Sequence, residues 1–205
     1  MHDEKIGDFL ARLADRVPAP GGGATAALHA AQGAALLGMV ARYSSGEKYA
    51  EHAEEITRVR DLTDELRADA LRLAVDDATA FGAVADAYKL PKDSDQAKAD
   101  RSAAIAKALV GASRPPADVI RLSERLVDLG EVLLPIGNRN VITDVAAAAE
   151  AARAAATTAR VNVEINVGGI EDDQVRAELL ALTVRVDEIA ARADQVTHQV
   201  REVIK

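Results

Sequence analysis

The chain has 205 residues, enough for one substantial domain and too few to require two. A net charge of −8 argues against nucleic acid and anionic membrane surfaces as partners, and the absence of cysteine excludes disulfides, a thiolate nucleophile and Cys metal sites. Hydrophobic residues make up 49 % of the chain but aromatics only 2 %, so the core must be built from Ala, Leu and Val, as in all-helical proteins.

The start, Met1-His2-Asp3-Glu4-Lys5, has mixed charge and no apolar run behind it, so no signal peptide is expected and the cytoplasm is the expected location. Ile6, Phe9, Leu10, Leu13 and Val17 recur at helical spacing and predict a short amphipathic helix that ends at Pro18. Pro18-Ala19-Pro20-Gly21-Gly22-Gly23 then opens a second helix, from about Gly23 to Ser44. Three glycines without Cβ atoms at a helix N-terminus expose backbone N–H groups at the positive end of the helix dipole. That suits a carboxylate or phosphate, or else makes a tight turn that binds nothing. Ala27, Ala30, Ala31, Ala34 and Gly38 give the second helix a small-residue face for close packing. Its most apolar part is mostly alanine and carries His29 and Gln32, so no membrane span is expected.

A long third helix is predicted from Tyr49 to Tyr88, with the stripe Val59, Leu62, Leu66, Ala70, Leu73, Asp77, Phe81, Val84 and Tyr88. Asp77 thus interrupts an apolar face, where a carboxylate needs a partner or a task. Ser94 predicts the cap of a fourth helix from about Asp95 to Ala112, and Arg114-Pro115-Pro116 the start of a fifth, with Val119, Leu122, Leu126, Leu129 and Leu133 as its stripe. Pro135-Ile136-Gly137-Asn138-Arg139-Asn140 reads as a loop. The sixth helix starts near Ile142 and carries Asp144, Ala148, Ala151, Ala155, Thr158, Asn162 and Asn166 on one small or polar face. The last runs from Asp172 to Ile204. The predicted architecture is an all-α, antiparallel multi-helix bundle forming a single domain over residues 1–205.

The four histidines are scattered without metal-ligand spacing, and the triplet lacks the Gly-Lys-Ser/Thr of a P-loop. What remains is polar residues in unexpected places. Asp77 is either an interhelix hydrogen-bonder or a functional carboxylate. Asp144 suits the first turn of any helix but follows Asn138, Arg139 and Asn140. Asn162 and Asn166 are expected to hydrogen-bond between helices or subunits. They lie too far along their helix to share one site with Asp144, about 27 Å at 1.5 Å per residue.

Taken together, these segments resemble the cyclodeaminase/cyclohydrolase family of folate enzymes. The resemblance is carried by Pro18-Ala19-Pro20-Gly21-Gly22-Gly23, by Asp76-Asp77-Ala78-Thr79-Ala80-Phe81 and by Ala87-Tyr88-Lys89-Leu90-Pro91-Lys92. It continues with Gly137-Asn138-Arg139-Asn140-Val141-Ile142-Thr143-Asp144 and Val161-Asn162-Val163-Glu164-Ile165-Asn166. The family often has Ser where this chain has Ala24, and Ser where it has Thr143. The resemblance implies a cyclodeaminase-like bundle, a homodimer, and a tetrahydrofolate derivative, mono- or polyglutamylated, as the only organic ligand, with no further cofactor. It implies cyclodeamination of 5-formiminotetrahydrofolate to 5,10-methenyltetrahydrofolate as the first reading. Cyclohydrolysis of the methenyl compound to 10-formyltetrahydrofolate is the second, and a non-catalytic folate-binding or oligomeric helical protein the third. On this footing Asp77 and Asp144 are the expected catalytic pair, one as acid/base and the other as electrostatic stabiliser, in either order. Pro20, Gly21, Gly22, Gly23, Phe81, Tyr88, Lys89, Asn138 and Arg139 are the expected substrate-binding residues. Lys89 and Arg139 would pair with glutamyl carboxylates or with the two aspartates.

Overall fold

A computed structural model describes residues 4–205; Met1, His2 and Asp3, and with them most of the mixed-charge start, lie outside the described residues. Six α-helices follow one another: α1 Ile6–Ala14, α2 Gly22–Tyr43, α3 Ala53–Tyr88, α4 Asp95–Ile136, α5 Ile142–Val167 and α6 Asp173–Val203. Short 3-10 segments, Glu47–His52 and Arg139–Val141, lead into α3 and α5. No strand occurs among the described residues, so the all-α reading stands.

Helix α2 is the axis of the bundle and packs against α3, α4 and α5. Its alanines make this packing close: Ala24, Ala26, Ala27 and Ala30 have no exposed surface, and neither do Ala152, Ala155, Ala156 and Ala159 of α5. At Gly33 a Cβ would lie 3.2 Å from the Ala148 carbonyl oxygen, a tight contact that marks how closely the two backbones approach. Leu37, Val59, Leu66, Ile120, Leu126, Leu133, Val145 and Ile189 fill the rest of the core. Helix α2 is also long and apolar enough to cross a membrane, with a mean hydropathy of 1.3, but 61 % of that window is buried in the bundle.

The helix ends follow from their caps. Ser94 accepts from the Ala97 N–H at 3.1 Å and starts α4, as its sequence predicts. Asp172 accepts from the Gln174 and Val175 N–H groups and starts α6. Gly46, with φ at 94°, adopts the left-handed turn that ends the α2 connection. Across the outer seam Arg192 holds Asp128 and Glu131 of α4 at 2.6 Å each, an exposed network whose individual pairs contribute at most about 1 kcal/mol.

Two expectations are corrected. The predicted fourth and fifth helices are one continuous helix, α4, which runs through Pro115 and Pro116 and ends only after Pro135. Pro116 has no N–H to give to the Ala112 carbonyl one turn back. The Asn166 Nδ2 of α5 donates to that carbonyl at 3.3 Å instead. With both prolines buried in the core, packing and this substitute donor carry the helix through. The first helix is shorter than its periodicity suggests. It stops at Ala14, Val17 lies beyond it, and only Phe9 of its stripe is buried, while Ile6 and Leu10 face solvent.

Candidate active site

The Pro-Gly segment, α3, α4 and α5 converge on a cavity of about 230 Å3 at the N-terminus of α2, lined by Pro18, Ala19, the glycine triplet, Asp77, Phe81, Ala112, Asn162, Ile165 and Asn166. Gly21 caps α2 with no side chain to contribute, while Gly22 and Gly23 are its first two helical residues. The first intrahelical bond is Thr25 N–H to the Gly21 carbonyl at 3.0 Å. Gly22 and Gly23 therefore present N–H groups that have no protein acceptor among the described residues.

Asp77 reaches this helix start from α3. Its carboxylate occupies the space a side chain at residue 23 would need: a Cβ on Gly23 would lie 2.0 Å from Oδ1 and 2.7 Å from Oδ2. Burial raises the Asp77 pKa above the ordinary carboxylate value, and the facing Ala24 N–H lowers it by less. That N–H lies outside strict hydrogen-bond geometry, and no Lys, Arg or His pairs with Asp77 among the described residues. The result is a half-buried carboxylate with raised proton affinity at the wall of a cavity.

Opposite it stand two primary amides. Asn162 donates through Nδ2 to the Thr158 carbonyl of its own helix at 2.8 Å, and Asn166 to the Ala112 carbonyl of α4. The Oδ1 atoms of both have no donor from the chain among the described residues. Phe81, 48 % exposed, and Ile165, 77 % exposed, form an apolar mouth. A carboxylate, two amide carbonyls and free backbone N–H groups beside a flat apolar wall suit a planar heterocycle with donors and acceptors along its edge. Among the described residues no group of three or more His, Asp or Glu is placed to hold a metal ion.

The expected site residues fall into two groups. The glycine triplet, Asp77 and Phe81 come together here, Pro20 lies within the same segment behind a cis Ala19–Pro20 peptide, and Tyr88 lies further along α3. Asp144, Asn138 and Arg139 do not join them. Asn138 is fastened to the C-terminus of α2, its Nδ2 donating to the Tyr43 carbonyl and its N–H to Ser44 Oγ, both at 2.8 Å. The length of α2, about 30 Å, therefore separates the Asn138 loop and Asp144 from Asp77 within one chain. Lys89 is exposed and paired with Asp86 at 2.8 Å. Asn162 and Asn166 line the cavity although their sequence suggests only structural hydrogen bonds, and Asn162 bonds within its own helix. Pro116 was the available signal for Asn166, because a proline inside a helix leaves one carbonyl needing an outside donor.

Known proteins resemble this chain along nearly its whole length. The family model described as formiminotransferase-cyclodeaminase matches residues 5–184. A methenyltetrahydrofolate cyclohydrolase from Methylorubrum extorquens is 36 % identical over 204 residues, covering 99 % of this chain and 97 % of its own. A formimidoyltransferase-cyclodeaminase from Sus scrofa is 34 % identical over 177 residues, which are 83 % of this chain and 32 % of that longer protein. The crystal structure of formiminotetrahydrofolate cyclodeaminase from Thermotoga maritima superposes with a TM-score of 0.89 at 29 % identity, covering 100 % of this chain and 99 % of that one.

Proposed function

Because the chain belongs to the formiminotransferase-cyclodeaminase family of folate one-carbon enzymes, we propose that the cavity at the glycine triplet binds the pterin end of a tetrahydrofolate and that Asp77 moves protons at the carbon bridging N5 and N10. The observation that carries this reading is the single carboxylate lining the cavity, without a cationic partner among the described residues and raised in proton affinity by burial. Such a group gives and takes protons nearer neutral pH than an ordinary aspartate does. Ionised, it would also face the delocalised cation of a methenyl bridge and stabilise it electrostatically.

The first activity we propose is cyclohydrolysis of 5,10-methenyltetrahydrofolate, because the likeness to the Methylorubrum extorquens protein extends over both whole chains. This reverses the order suggested by the sequence alone. Water attacks the bridging carbon while Asp77 takes one of its protons. In the adduct the bond from N5 to that carbon breaks, N5 takes the proton back from Asp77, and the adduct hydroxyl becomes the formyl carbonyl as its proton leaves to solvent. The products are 10-formyltetrahydrofolate and one proton.

The second reading is cyclodeamination, favoured by the full-length likeness to the Thermotoga maritima enzyme. There N10 attacks the protonated formimino carbon, Asp77 carries the N10 proton to the departing nitrogen, and ammonia leaves the methenyl product. In both readings the enzyme acts as a homodimer, as the family resemblance implies, and in the cytoplasm, as the mixed-charge start suggests.

One assay follows the methenyl chromophore in two directions. Accelerated loss of methenyltetrahydrofolate over buffer is the expected result. Appearance of the chromophore with ammonia from 5-formiminotetrahydrofolate would put the deaminase first. No change in either direction would overturn the catalytic reading.

A further inference from the structure

A helix tolerates proline in its interior where something else serves the carbonyl that loses its N–H. Helix α4 holds two such residues side by side, Pro115 and Pro116, both buried. They open two carbonyls one turn back, those of Gly111 and Ala112. Of these two residues Ala112 lines the Asp77 cavity, and its carbonyl receives Asn166 Nδ2 at 3.3 Å. A carbonyl oxygen can only accept, so the amide atom that faces it must be the nitrogen. The orientation of Asn166 is thus set from another helix, with the nitrogen towards α4 and the oxygen away from it.

That oxygen opens onto the cavity. Asn166 Oδ1 has no donor among the described residues, yet no buried side-chain oxygen or nitrogen among them lacks a partner. An unpartnered Oδ1 on a half-buried residue must therefore reach accessible space, and the space that Asn166 lines is the cavity. Asn162, one turn earlier on α5, is turned the same way by the Thr158 carbonyl of its own helix. The α5 wall thus presents acceptors where Gly22 and Gly23 present N–H donors. The difference between the two amides is that the setting of Asn166 depends on a proline in a different element.

We infer that Asn166 orients the substrate, its Oδ1 accepting a ring N–H of the bound pterin, and that Pro116 is its positioning residue. Pro116 acts by withholding the N–H that would otherwise occupy the Ala112 carbonyl. The inference rests on reading the cavity as the pterin site of a folate. A pterin carries N–H groups along its edge, the 2-amino group and N3–H among them. An amide free to turn would offer these donors its own NH2 as readily as its oxygen. With Pro116 in place only the oxygen is offered. This contact is separate from the protons that Asp77 moves, so its signature is a change in KM with little change in kcat.

The experiment is a double-substitution cycle in the full chain: Asn166→Ala, Pro116→Ala and the two together. It is read by melting temperature, by KM for methenyltetrahydrofolate and by calorimetric binding of 5-formyltetrahydrofolate. The readouts should separate. Asn166→Ala should lower the melting temperature by about 2–4 °C when Pro116 is present, and by much less once Pro116→Ala lets α4 supply its own donor. KM and Kd should rise about fivefold, the loss of one neutral hydrogen bond, to the same final value with or without Pro116. Pro116→Ala alone should raise KM about two- to threefold, and not at all where residue 166 is already alanine. Pro115→Ala, which returns a donor to the Gly111 carbonyl instead, should leave KM unchanged. Should Pro116→Ala fail to fold, Pro116→Val restores the same N–H with a larger side chain. A lowered melting temperature in Asn166→Ala with KM and Kd unchanged would make Asn166 a helix prop and overturn the inference, even where Asp77→Asn abolishes turnover. An equal effect of Pro116→Ala in both backgrounds would overturn the positioning role. Asn166-dependent binding without folate turnover would overturn the reading of Asp77 and leave that of Asn166 standing, and no binding by the wild type would overturn both.

Discussion

The two ends of α2 are built from similar residues and finish in opposite states. At the C-terminal end Ser44 Oγ donates to the Val40 carbonyl and accepts from Asn138 N–H, Asn138 Nδ2 donates to the Tyr43 carbonyl, and Asn138 Oδ1 accepts from Asn140 N–H. Each of these groups meets another, and the loop is a C-terminal cap stitched to a distant part of the chain. At the N-terminal end the glycine N–H groups, Asp77 and the two asparagine Oδ1 atoms converge on space rather than on one another. Unused hydrogen-bonding capacity, held in place by alanine-tight packing, distinguishes a binding site from a well-made turn. Asx and Gly content alone does not.

The strongest way to break this contrast is Asp77→Asn. It should lower kcat/KM by about 10²–10⁴-fold, the usual contribution of a positioned acid/base. Stability should move the other way. The folded pKa of Asp77 is raised, so the favourable contribution of its protonated form is complete below the unfolded pKa and is lost as pH rises through the folded one. The variant should therefore melt no lower than wild type at pH 7, with any advantage fading in acid. Thermal melts across pH would show the reverse if the carboxylate merely caps α2.

Gly23→Ala comes next. Its new Cβ would coincide with the Asp77 carboxylate, and the aspartate must swing out. A displacement of that size should lower turnover about 10²-fold while circular dichroism still reports the helices. Unchanged turnover would mean that the position of Asp77 is irrelevant. Asn166→Ala removes the donor to the Ala112 carbonyl and should cost about 1 kcal/mol, a fall in melting temperature of about 2–4 °C. The smallest effect is expected from Asp144→Asn. Placed about 30 Å from the cavity, it should leave turnover within about twofold of wild type, the range of substitutions away from special features. A loss as deep as that of Asp77→Asn, restored on mixing the two variants, would show that a second copy of the chain brings this end to the cavity.

The bundle was legible because alanine, leucine and valine at helical spacing leave few alternatives, and because Ser94 and Asp172 are explicit starts. Asp77 was legible as a charge on an apolar stripe. The stripe itself was overread, since Tyr88, 54 % exposed, and Phe81 stand at the edges of clefts instead of in the core. The continuity of α4 was hidden because a proline pair signals a break locally, and its remedy, Asn166, lies on another helix. The separation of Asp144 from Asp77 was hidden for a related reason. Matching motifs in order along a chain says nothing about which end of a helix each one meets, and the Ser44–Asn138 contact that decides it is long-range.

The burial of α2 also sets a problem in time. The helix that passes for a membrane span is covered chiefly by its neighbours, and one of these, α5, begins only at Ile142. At about 5–20 residues per second of synthesis, α2 emerges several seconds before the surface that closes over it exists. During that interval the nascent chain displays an apolar, alanine-rich segment of spanning length near its N-terminus, with only α3 following closely enough to shield it. Pairing with α3, the next long helix in sequence, is the first burial the growing chain can offer α2.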